Sequence, residues 1–131
     1  MNKFSLYTGA CFVIIIGLSS FTYYSNTMVH VQDDGFVIPD NINTIFGSSC
    51  VECHVANASN GKAKMKFRID KLTTLKRSKL IAKLGKIARE VEKGDMPPKK
   101  FVAKNPGVPT EDEKKILIAW ARKVQAELAG E

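Results

Sequence analysis

Cys50-Val51-Glu52-Cys53-His54 is the stretch from which the rest of this chain is read. Two thiols stand three residues apart, and an imidazole follows the second directly. That order has a chemical use. The thiols can add across the two vinyl groups of a porphyrin, and the next side chain then lies under the ring and offers a nitrogen to the iron. The C-x-x-C-H pattern therefore marks attachment of one covalent haem c, with Cys50 and Cys53 as the attachment points and His54 as the proximal iron ligand. Other uses of these residues fit less well. A thioredoxin-like dithiol needs a strand–helix–strand setting, which does not surround Cys50. A zinc site needs four ligands, and the remaining His30 and Cys11 form no second close pair. A Cys50–Cys53 disulfide would close a very small loop and leave His54 without a role.

Upstream, Phe4 to His30 contains no Asp, Glu, Lys or Arg, and Lys3 is the only charged side chain before it. The apolar run Ala10–Leu18 has the length of a signal-peptide core, with Gly17-Leu18-Ser19 as a small-x-small cleavage pattern. The uncharged stretch Phe4–Tyr24 is also long enough to span a bilayer, with Tyr23 and Tyr24 at the outer interface. Residues 1–24 are thus expected to be a signal peptide or a membrane anchor, and residues 25–37 a polar tether. Cys11 reads as an apolar filler of the targeting helix and His30 as an exposed tether histidine. Haem c is attached outside the bacterial cytoplasmic membrane, so motif and leader agree on the periplasm or the outer face of that membrane.

Downstream, residues 38–131 are expected to form one small all-α domain. Ile42, Ile45 and Phe46 give one apolar helical face after Pro39-Asp40. Residues 55–66 read as a loop, and Met65–Ile69 as the nearest approach to a strand. The spacing of Leu80, Ile81, Leu84, Ile87, Ala88 and Val91 predicts a helix over about 75–93, stopped by Gly94. Asp95-Met96-Pro97-Pro98 follows as a stiff extended segment. Thr110 and Glu113 form a capping box for a last helix with Ile116, Leu117, Trp120 and Val124 on its inner face.

This order of short helix, haem motif, middle helix, Met-Pro-Pro segment and C-terminal helix resembles the class I cytochrome c fold. More narrowly, residues 38–124 resemble a family of small haem-binding domains in exported bacterial proteins. The resemblance rests on Ser49–His54, Gly94-Asp95-Met96-Pro97-Pro98, Pro109-Thr110 and Ile118-Ala119-Trp120-Ala121. It implies a helical domain wrapped around one covalent haem, with His54 proximal and Met96 distal. Two departures stand out. Many members carry His-Pro where this chain has Asn105-Pro106. Mitochondrial-type cytochromes have a proline soon after the motif whose carbonyl orients the proximal imidazole, and this chain has none between His54 and Pro97.

The residues themselves also favour Met96 as the distal ligand. Met1 and Met28 lie in or beside the leader, and Met65 follows His54 too closely to cross to the opposite ring face. Met96 has a whole helix behind it, and the prolines after it leave its loop little entropy to lose. Trp120 reads as core.

The charge is lopsided. Lys62 to Lys104 holds fifteen Lys or Arg against four Asp or Glu, in a chain of net charge +7. This is a solvated helix face, or a docking face for an acidic redox partner or an anionic membrane. Nucleic acid is not expected as a partner. The expected function is an exported c-type cytochrome carrying single electrons, not an enzyme. The alternative is a haem sensor or peroxidase-like domain with an open sixth iron position. An accessory domain docking to a larger redox complex is a third class.

Overall fold

In the computed structural model, residues 36–130 are described. The leader, Cys11, Met28, His30 and nearly all of the tether lie outside the described residues, so the choice between signal peptide and anchor does too. Among the described residues no helix is long and apolar enough to cross a membrane.

Leu80, Leu84, Ile87, Ala88 and Val91 return every three or four residues and are all buried, which makes Arg77–Glu92 an amphipathic helix. Its partner is Glu111–Ala129, which buries Leu117, Ala121, Val124 and Leu128. The full order is α1 (Asp40–Ser49), α2 (Val51–His54), α3 (Gly61–Lys66), a 3-10 segment (Ile69–Thr74), α4 (Arg77–Glu92), α5 (Lys99–Lys104) and α6 (Glu111–Ala129). There is no strand among the described residues, so the domain is all-α.

α4 and α6 run antiparallel along most of their length. Arg77 Nε, at the start of α4, donates to the Leu128 carbonyl near the end of α6 at 2.7 Å. At the other end of α4, Glu92 pairs with Arg122. The Gln125 side-chain amide of α6 packs over Gly85, where a β-carbon would lie 2.6 Å from its nitrogen. α6 begins with the expected capping box. Thr110 Oγ1 accepts from the Glu113 N–H at 3.2 Å, and Glu113 Oε2 accepts from the Thr110 N–H at 2.7 Å. α1 lies across α6 through Phe46 and Trp120, whose rings meet edge to face at 5.9 Å. Such a pair contributes about 0.5–1.5 kcal/mol beyond its buried area. Trp120 is partly buried and packs against the core.

Several features differ from the expectation. Phe36, expected in the tether, is buried with its ring 6.1 Å from that of Trp120, so the apolar packing starts before residue 38. Ile116, expected on the inner face of α6, is 46% exposed, and the inner stripe runs through Leu117, Ala121, Val124 and Leu128 instead. The stretch expected to be a loop contains α3, a helix without a single buried residue. Local polar bonds hold it: Asn60 Oδ1 accepts from the Ala63 N–H at 3.1 Å, and Lys64 Nζ donates to the Ala58 carbonyl at 2.9 Å. α5 follows Pro98 and anchors only Phe101. Neither short helix has enough apolar repeats to register as a period.

Candidate haem site

α1 delivers the motif. The Cys50 N–H donates back to the Phe46 carbonyl at 2.9 Å, and the Cys50 carbonyl accepts from the N–H groups of both Cys53 (3.2 Å) and His54 (3.0 Å). This tight turn, α2, keeps the two thiols and the imidazole together. Both cysteines are free and partly buried. Burial pushes the Cys50 thiol up to about 12, and the neighbouring Cys53 adds to the rise. Cys50 is thus a neutral thiol at physiological pH.

His54 Nδ1 lies 3.1 Å from the Phe67 carbonyl oxygen. A carbonyl can only accept, so Nδ1 carries the hydrogen, and Nε2 keeps its lone pair for a metal. This is the ring-orienting contact for which the sequence offered no proline. It comes from Phe67, where the chain leaves α3 in extended conformation, φ −157° and ψ 140°. The Phe67 N–H is itself tied to the Ala63 carbonyl at 3.0 Å. Just beyond, Arg68 grips Asp70, with Nε donating to Oδ1 at 3.1 Å. That hydrogen bond holds the Asp70 carboxyl below its ordinary range. No side-chain signal could have revealed the Phe67 contact, because the functional atom is a main-chain oxygen.

Met96 is placed by the end of α4. Gly94 adopts φ +73°, the left-handed conformation of a helix stop. The Gly94 N–H donates to the Val91 carbonyl (3.0 Å), and the Asp95 and Met96 N–H groups both donate to the Glu90 carbonyl (3.0 and 3.1 Å). The first two bonds form a Schellman motif, and the third fixes the residue after it. Met96 is partly buried against the core, whereas Met65 is 82% exposed on α3.

These features border one cavity of about 250 Å³. Cys50, Cys53, His54 and Met96 all line it. Phe46, Ile87, Val91, Phe101 and Leu117 supply much of its apolar wall. Met65 and Trp120 are not in the wall. Asn105, at the position of the family's His-Pro pair, caps α5 through a 3.1 Å bond from Nδ2 to the Phe101 carbonyl and is not in the wall either. Among the described residues no three His, Cys, Asp or Glu side chains converge as a metal cluster. Two thiols, an imidazole with a free Nε2 and a thioether, all on one largely apolar cavity, are a donor set that fits a haem.

Comparison with known proteins agrees at the level of the cofactor. The sequence profile of a family described as a haem-binding domain matches residues 57–123, just over half of the chain, and the protein belongs to that family. The matched stretch runs from just after the C-x-x-C-H motif, through α3, α4 and α5, into α6. No curated protein and no solved structure matches the chain.

Proposed function

We propose that this protein is an exported c-type cytochrome that carries single electrons and performs no chemistry on a substrate. The observation that carries the reading is the convergence of Cys50, Cys53, His54 and Met96 on one cavity. When bound, the haem supplies a one-electron Fe(III)/Fe(II) couple. Cys50 and Cys53 hold the group through two thioether bonds. His54 offers Nε2, and the Phe67 carbonyl on Nδ1 fixes the ring and raises its basicity as a ligand. Met96 offers its sulfur from a loop already tied to the Glu90 carbonyl, and a thioether ligand raises the potential. With His54 and Met96 both holding the iron, no position would remain open for a substrate. The apolar wall excludes water. The uncharged Phe4–Tyr24 stretch supports export to the periplasm or the outer face of the cytoplasmic membrane, as cleaved signal or retained anchor. The basic excess between Lys62 and Lys104 supports a redox partner with an acidic docking face.

The sensor or peroxidase alternative would be helped by an arginine over the iron. Arg68 is engaged by Asp70, Arg77 by the Leu128 carbonyl and Arg89 by Glu90, and none of the three borders the cavity. The experiment is direct. Intact mass after acid–acetone extraction should show the polypeptide plus one haem. The ferric protein should show the weak long-wavelength charge-transfer band of thioether ligation. Met96→Ala should abolish that band, lower the potential and let the reduced protein bind CO, while Met65→Ala changes none of these. A wild-type protein that lacks the band and binds CO readily would sink the electron-carrier reading.

A further inference from the structure

The cavity wall carries a charge that four haem-anchoring residues do not account for. Three lysines border it, Lys66, Lys83 and Lys86, against one carboxylate, Glu90. With His54 neutral as a ligand, two positive charges remain. Lys83 and Lys86 stand one turn apart on α4, beside Ile87 of the cavity wall. Lys66 ends α3 directly before Phe67, whose carbonyl holds His54. Lys83 Nζ donates to the Lys66 main-chain carbonyl, which ties α4 to the end of α3 on this side of the cavity. Lys83 is only partly exposed, which is uncommon for a lysine. Among the described residues none of the three has a carboxylate within ion-pair distance, in common with most lysines of the domain.

Exposed and half-exposed cations on the border of an apolar cavity attract a ligand that brings the opposite charge to that border. Haem brings two propionates, a charge of minus two against the plus two of the wall. Building on the haem reading above, we infer that Lys66, Lys83 and Lys86 bind the two haem propionates. The α3–α4 side of the cavity is then the propionate side. These three lysines are then engaged by the haem and add little to partner docking. Docking is left to cations outside the wall, such as Lys93, Lys99, Lys100 and Lys104.

The test uses the mature haem-loaded protein and the propionate bending bands of its resonance Raman spectrum. Lys83→Gln and Lys86→Gln should each shift those bands and lower the midpoint potential, because a lost cation near the iron favours the ferric form. Lys83→Arg, which keeps the charge, and Lys99→Gln, outside the wall, should leave the bands in place. Lys86 is exposed, so its variant carries the test should Lys83→Gln reduce the yield of holoprotein. Bands unmoved in both glutamine variants, with a flattened salt dependence of electron transfer, would overturn the inference and assign these lysines to docking. The two readings fail differently. Absence of covalent haem by mass removes the cytochrome reading, whereas intact haem with unmoved propionate bands removes only this one.

Discussion

Replacing Gly94 by alanine tests the turn that presents Met96. Its φ of +73° is left-handed, and a β-carbon there would meet nothing within 4 Å. The cost is therefore conformational, with no steric part, and an L-residue in this region loses about 1–2 kcal/mol. For a domain of this size that corresponds to a fall in Tm of roughly 4–16 °C. Gly47 is the internal control. It lies within α1, has no positive φ, and likewise has nothing within 4 Å of a β-carbon. There the same substitution should stabilise by about 0.5–1 kcal/mol, because glycine is the poorer helix former. Gly94→Asn should fall between wild type and Gly94→Ala, since asparagine tolerates the left-handed region. Thermal unfolding followed by circular dichroism reads the stability. The charge-transfer band reads the site, because a chain that escapes the strain gives up the two bonds from Asp95 and Met96 to the Glu90 carbonyl. Gly94→Ala should therefore lose stability and part of the band together. A Gly94→Ala protein with wild-type Tm and a full band would refute the reasoning, as would a Gly47→Ala protein that loses as much.

In the haem-free chain the Cys50 thiol, ordinarily near 9.0, is pushed up to about 12, so the native state binds its proton more tightly than the unfolded state does. Stability should then fall as pH rises from about 9 through about 12, with an upper bound of about 4 kcal/mol. Alkylation of Cys50 near pH 9 should speed up sharply in urea, and equal rates folded and unfolded would contradict the burial. Leu117→Ala should cost about 2–5 kcal/mol and Ile116→Ala no more than about 0.5 kcal/mol, in line with their 2% and 46% exposure; similar losses on denaturant melts would return Ile116 to the inner face. Electron transfer to an acidic partner should slow steeply as added salt shortens the Debye length from about 30 to about 10 Å, and a flat stopped-flow rate would leave the exposed lysines as solubility residues.

What the sequence made legible was whatever repeats or whatever chemistry requires. The 3.6-residue stripe of α4 and the capping box of α6 are local patterns with fixed spacing, and both were readable. The C-x-x-C-H motif is equally local, and the haem it implies agrees with the family match. What escaped was held by isolated contacts. α3 has no buried side chain and rests on Asn60 and Lys64; α5 anchors one phenylalanine. Ile116 adjoins Leu117 in an apolar pair, but the stripe through Leu117, Ala121 and Val124 leaves it turned toward solvent. The Phe67 carbonyl could not be found at all, since every residue has one.

α4 unites the parts of the site. One side of it packs on α6 and buries Leu84 and Ala88. Ile87 and Val91 wall the cavity, with Lys83 and Lys86 alongside. Its last turn supplies the Glu90 carbonyl that holds the Met96 segment. Across the cavity, His54 is held by Phe67, the residue at which the chain leaves α3. Both candidate axial side chains are therefore positioned by main-chain carbonyls belonging to α4 or to the end of α3. That explains how the family match can begin after the C-x-x-C-H motif and still describe a haem-binding protein. The matched stretch contributes most of the residues that line the cavity. The motif itself arrives from α1, fastened to α6 by Phe46 against Trp120. Loosening that ring contact should then reach the site through the placement of Cys50 and Cys53, while the Met96 turn keeps its own hydrogen bonds.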